Sequence, residues 1–346
     1  MEPIQDENRV GGINKVFLVT VVISIVVEFL PLDFLEGRTA LGLVISQAIL
    51  ILPALVFMIR NKMPYRETVR LYKIKFADMA LCLLFGILLQ PVLTFINAFS
   101  LVFTKNSVNT MMVTMYEEVP FLVAVFLIAV VPAVLEETVY RGLFYNEYRK
   151  IDPWKAVLLS GALFGIMHGN LNQFCYAAVM GIVFALLIEA TGSILSTMLI
   201  HFCVNAWSVV CIYLLPKLYE FIQYFHRLYK ENGYEDVAAQ LEMMLGDLSL
   251  PASEWMREML SASDAVDITI GSVVSMYGPQ AVLMGYLAFL VYRKIAKRSG
   301  NWERICDFFG QKKEDAEPIA TIPLTLGAAV GLISMFFYEL ALHMPR

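Results

Sequence analysis

The chain is 346 residues long, 58% hydrophobic and only 16% charged, with a formal net charge of −5 at pH 7. A soluble domain carries roughly 45–50% apolar and about 25% charged residues, so an ordinary water-soluble globule is excluded. The apolar surplus falls in blocks of roughly 20 residues, the length that crosses a ~30 Å hydrocarbon core as helix. The blocks lack apolar/polar alternation and are about twice the length of a barrel strand, which excludes a β-barrel and leaves helices, whose backbone groups are satisfied internally. The expected fold is an all-α polytopic transmembrane helical bundle of about eight to nine spans.

In chain order, the first apolar run is Asn14–Leu35. It has no small-x-small cleavage site after it and reads as a retained span rather than a removed signal peptide. Further spans are expected at Thr39–Ile59, Phe76–Phe103, Val119–Tyr145, Pro153–His168, Leu171–Ala190, Ser193–Leu215, Thr269–Tyr292 and Ile322–His343. Only Gly169 and Asn170 join the fifth and sixth, so tilted or broken helices are admitted there. Between spans seven and eight, Pro216–Ile268 is polar and acidic, with helix-like apolar spacing in Val237–Leu245 and Trp255–Leu260. It reads as a small helical external insertion, with an amphipathic cap on the membrane surface as the competing picture. The chain thus divides into N-terminal helices (1–118), a central core (119–215), the insertion (216–268) and C-terminal helices (269–346).

Basic residues cluster in three places: Arg60, Lys62, Arg66, Arg70, Lys73 and Lys75; then Arg149, Lys150 and Lys155; then Arg293, Lys294, Lys297, Arg298, Arg304, Lys312 and Lys313. Nine alternating spans put all three on one side, the cytoplasmic side by the positive-inside rule. The N-terminus is then expected to be cytoplasmic and the C-terminus external. The lipid bilayer is the first partner, and no nucleic acid is expected. Cys82, Cys175, Cys203, Cys211 and Cys306 form no CxxC and read as core-filling residues rather than a disulfide framework or zinc knuckle. Glu189, near a span end, is expected at the interface.

Charged and polar groups within a span are costly unless paired or hydrated. Three clusters stand out. In Glu136-Glu137-Thr138-Val139-Tyr140-Arg141, the spacing of four lets Glu137 pair with Arg141 along one helix face, while Glu136 lies about 100° around the helix. One carboxylate is then neutralised and the other points into a cavity, as a general base requires; a solvated helix end is the alternative. The second cluster is His168 in Phe164-Gly165-Ile166-Met167-His168, catalytic or structural. The third is His201 with Asn205, which share a helix face and suit either a lined site or an interhelical hydrogen-bond pair. Glu136 and His168 each lie ~23 Å from the hairpin turn near Asp152, so they should face each other at one level.

The ordered motifs EETVYR (136–141), FGIMH (164–168) and HFCVN (201–205) resemble the type II CAAX prenyl protease family, also called Abi or CPBP, for CAAX protease and bacteriocin processing. The resemblance covers roughly Val119–Leu215 and implies an intramembrane endopeptidase. It gives Glu136 and His168 the activation of water, His201 and Asn205 the stabilisation of the oxyanion, and Glu137 and Arg141 the shaping of the cavity. On cofactors it leaves two readings open: Zn²⁺ held by Glu136, His168 and His201 with a water in the fourth position, or glutamate-activated water without metal. The implied partner is a peptide or membrane-protein substrate, lipid-modified in some relatives. Two other classes compete, a non-catalytic scaffold or immunity protein of the same fold and a transporter using buried Glu and His. A transporter often shows paired repeats or interrupted helices in both halves, and none is evident here.

Overall fold

A computed structural model describes residues 4–30, 37–106, 108–264, 268–310 and 319–344. Asp33 and the end of the first expected span, together with Lys312 and Lys313, lie outside the described residues. Nine apolar helices organise the rest: α1 (Ile4–Glu28), α2 (Thr39–Arg60), α3 (Phe76–Leu101), α4 (Phe121–Ile151), α5 (Pro153–Ile166), α6 (Leu171–Thr191), α7 (Leu195–Glu231), α8 (Ile270–Arg298) and α9 (Ile322–His343). Among the described residues there is no strand, and eight of these helices are long and apolar enough to cross a membrane. The protein is a polytopic all-α membrane protein. Its outer surface is greasy, with Phe76, Ile87, Val282, Ile322 and Phe336 all exposed, as lipid-facing positions are.

The count of nine full spans is corrected at α5, which has 14 residues and is therefore about 21 Å long. Two local choices stop it. Gly169 adopts a left-handed backbone with φ of 72°, and Asn170 caps α6 by accepting from the Gln173 N–H at 2.8 Å. At its other end Asp152 caps α5, accepting from the Trp154 and Lys155 N–H groups at 3.0 and 3.1 Å, which makes the α4–α5 turn tight. Helices α5 and α6 then approach closely enough that a Cβ on Gly161 would meet the Ala178 carbonyl oxygen at 2.5 Å.

The expected end of span seven is also corrected. Helix α7 runs on through Pro216 for 37 residues, about 55 Å, so the first part of the acidic segment is a continuation of the span. Helices Glu235–Leu245 and Ala252–Asp264 fold back on this extension. Tyr219 stacks on Trp255 at 4.3 Å between ring centroids, Gln223 Nε2 donates to the Leu248 and Leu250 carbonyls at 2.9 Å each, and His226 Nε2 lies 2.8 Å from Glu242 Oε1. The cysteines are free; Cys82 is buried, but Cys211 and Cys306 are exposed and fill no core.

The three basic segments meet at one end of the bundle, and Glu189 joins them. This carboxylate at the end of α6 is only 1% exposed rather than interfacial. Arg149 Nε reaches it at 2.7 Å and Arg70 Nη1 at 3.5 Å, Arg304 pairs with it, and the Tyr145 hydroxyl donates at 2.8 Å. Asp78 at the start of α3 pairs with Arg298 at 2.6 Å. Glu189 thus ties the loop before α3, the end of α4 and the segment after α8 to one point. Replacing Glu189 with Gln leaves three guanidinium groups around a neutral amide. It should lower stability by about 2 kcal/mol, less than for a fully buried pair because the arginine side chains keep some water contact. Thermal unfolding in detergent measures this, and an unchanged midpoint would remove Glu189 as a fastening point.

Candidate active site

The site is built on α4, which is not a regular α-helix. Residues Val131–Glu137 are α-helical, but Val125–Val130 before them and Thr138–Tyr145 after them are π-helical, with i→i+5 hydrogen bonding. Pro132 has no N–H, so the Ile128 carbonyl lacks the donor that an α-helix would supply four residues on. Asn205 on α7 supplies one instead, its Nδ2 donating to the Ile128 oxygen at 3.0 Å.

The two adjacent glutamates have different surroundings. Glu137 is fully buried. Its Oε1 lies 3.0 Å from Arg141 Nη1 and 3.0 Å from His201 Nδ1. The Arg141 guanidinium, itself fully buried, lies over the Phe164 ring at 4.2 Å and the Phe184 ring at 5.3 Å, a cation–π contact that partly replaces water. Gly181 makes room for it, since a Cβ there would come within 3.0 Å of Arg141 Nη2. Glu136, in contrast, has a side chain 15% exposed. Gln47 Nε2 on α2 donates to its Oε1 at 2.9 Å, and His201 Nε2 stands 3.7 Å from its Oε2.

Glu136, His168, His201 and Asn205 line one cavity of about 520 Å³. Glu137 and Arg141 stand behind its wall as a pair. The cavity runs past apolar side chains towards Glu28, Gly42 and Met111. These sit at the end of α1, the start of α2 and the helix before α4, away from the basic end of the bundle. Hydrogen bonding sets the imidazole tautomers. His168 Nδ1 lies 2.8 Å from the Phe164 carbonyl oxygen, which only accepts, so Nδ1 carries the proton. His201 Nδ1 faces the Arg141-paired Glu137 carboxylate and donates likewise. In its neutral form each ring then has Nε2 left as an acceptor.

The zinc set is not assembled. Among the described residues, no three His, Cys, Asp or Glu side chains stand close enough to share an ion, the trio Glu136, His168 and His201 included. The metal reading therefore finds no support in the geometry of the described residues. Two residues not singled out in the sequence enter the site. Gln47 was visible as a lone amide within an apolar run. Tyr140, inside the first motif, lines the cavity together with Glu136.

The fold and site define a polytopic helical membrane protein with a cavity lined by polar side chains of its central helices. Residues 118–207 match the family described as type II CAAX prenyl endopeptidase Rce1-like, a stretch that holds all three motifs and upholds the resemblance they suggest. A curated relative, "Putative membrane peptidase YdiL" of Bacillus subtilis (strain 168), is 27% identical over 148 residues, 42% of this chain and 54% of that protein. The match thus spans about half the length of this relative. No solved structure matches the chain.

Arg141→Ala would strand Glu137 beside His201 without its cation. Breaking a fully buried pair costs about 3–5 kcal/mol. The variant should therefore lose stability on that scale in detergent melting, and wild-type melting would contradict the pairing as a structural necessity.

Proposed function

We propose that the protein is an intramembrane endopeptidase that hydrolyses a peptide bond with water activated by Glu136. One observation carries this reading: two neighbouring carboxylates are divided between structure and cavity. Glu137 is neutralised by Arg141. Among the described residues no Lys or Arg pairs with Glu136, whose carboxylate is held by the Gln47 amide and lines the cavity beside two imidazoles. A carboxylate held in place without a strong cation is suited to accept a proton from water.

In the proposed reaction Glu136 takes a proton from a water oriented with the help of His168 Nε2. The water oxygen bonds to the scissile carbonyl carbon, and the carbonyl π pair moves onto oxygen. Glu136 then gives the proton to the amide nitrogen. The C=O bond re-forms, the C–N bond breaks, and an amine and a carboxylic acid leave. Glu137 and Arg141 act through His201, whose Nδ1 proton they fix and whose Nε2 faces Glu136.

The substrate side follows from the charge pattern. By the positive-inside rule the basic end faces the cytoplasm, so the cavity opens towards the external half of the membrane. The substrate is then a polypeptide that lies in the bilayer or reaches it from outside.

Glu136→Gln replaces the proton acceptor by an isostere. New peptide termini in the membrane proteome of cells carrying the wild-type chain should vanish in cells carrying this variant at equal abundance. Persistence of the same termini would remove Glu136 from the chemistry. Orientation is tested separately in a cysteine-free background. Gln240→Cys should react with an impermeant thiol reagent on intact cells and Lys73→Cys only after permeabilisation; the reverse pattern would place the cavity mouth on the cytoplasmic side.

A further inference from the structure

Tyr140 is 1% exposed, and its hydroxyl has no hydrogen-bond partner. It stands four residues after Glu136 on α4, and both line the same cavity. The ring is fixed edge-on against Phe164 at 5.1 Å and Phe144 at 5.8 Å between centroids. A phenylalanine would make these contacts equally well, so packing does not account for the hydroxyl, and a buried donor left unpaired is destabilising. Meanwhile the donors first assigned to the oxyanion, His201 and Asn205, each already hold one other partner. His201 directs its Nδ1 proton to Glu137, and Asn205 gives one of its two side-chain N–H groups to the Ile128 carbonyl.

We propose that Tyr140 is a catalytic residue, its hydroxyl donating a hydrogen bond to the carbonyl oxygen of the scissile peptide as that oxygen becomes an oxyanion. The inference rests on the endopeptidase reading and gives that site a donor with no other partner. No proton is transferred: the phenol keeps its proton and stabilises the developing charge from a fixed position. Such a donor acts more strongly on the tetrahedral intermediate than on the bound substrate, so it raises kcat and leaves KM little changed.

The test is Tyr140→Phe in the full-length protein, compared with wild type and Glu136→Gln. The substrate is a peptide containing a cleavage site found by the terminal sequencing above. Expected is a fall in kcat of roughly 10²-fold per folded molecule, with KM within about threefold and a melting temperature equal to or above wild type. A peptide aldehyde of the same sequence, whose hydrate mimics the intermediate, should bind the variant more weakly by a similar factor. Wild-type kcat in Tyr140→Phe beside an inactive Glu136→Gln would overturn the role of Tyr140 and leave the endopeptidase reading standing. A lowered melting temperature with kcat per folded molecule preserved would also overturn it, since that is a structural hydroxyl. Absence of any Glu136-dependent cleavage by wild type would overturn both readings together.

Discussion

The central part of the molecule depends on one fully buried ion pair, Glu137 with Arg141. At this depth neither charge reaches water, and an isolated ionised group in a low-dielectric interior is far too costly to keep. Each is therefore surrounded by groups chosen for it. Glu137 receives the His201 imidazole as well as the guanidinium. Arg141 rests on the faces of Phe164 and Phe184, in space that Gly181 leaves open. Helices α4, α5, α6 and α7 all contribute to one pair, so their mutual positions are set by its geometry. Because Glu137 absorbs the cation, its neighbour Glu136 meets the cavity with an amide and two histidines for company.

The two ends of the bundle are built differently. At the basic end, Glu189 gathers arginines from three separate segments, and the Ser193–Ile194 turn is bonded to the segment before α3 through the Ile194 N–H and the Arg70 carbonyl at 3.1 Å. At the other end, short α5 stops inside the bundle, and its terminal turn carries His168 into the cavity rather than out to the surface. Helix α9 closes against that turn, where Gly331 sits so near Ile166 that a Cβ would meet its side chain at 2.4 Å. A fastened end and a hollow end follow from where the helices stop.

Much of this was legible in the sequence. Helix class, the common side of the three basic segments and the pairing of Glu137 with Arg141 all rest on period, length and charge, which are local. That Glu136 and His168 line one cavity agrees with counting residues to a shared turn. Other features depend on tertiary context. The stop of α5 rests on the backbone sign at Gly169, and the passage of α7 through Pro216 on the helices that pack along its extension. The π-helical stretches of α4 leave no compositional mark, although Pro132 removes a donor at one of them. Gln47 could be noticed as polar but not assigned, because its partner is 89 residues away.

The occupied donors matter most for the chemistry. Sequence spacing placed His201 and Asn205 on one face, and the family resemblance implied one job for both. In the structure each has its own partner: His201 is oriented by the buried pair, and Asn205 holds a carbonyl that Pro132 leaves without its helical donor. Both therefore keep α4 and α7 in register, and that register determines where Glu136 stands in the cavity. A site built this way ties its base to the bundle's own packing. The hydroxyl that packing leaves uncommitted, on Tyr140, lies one helical turn from that base on the same helix.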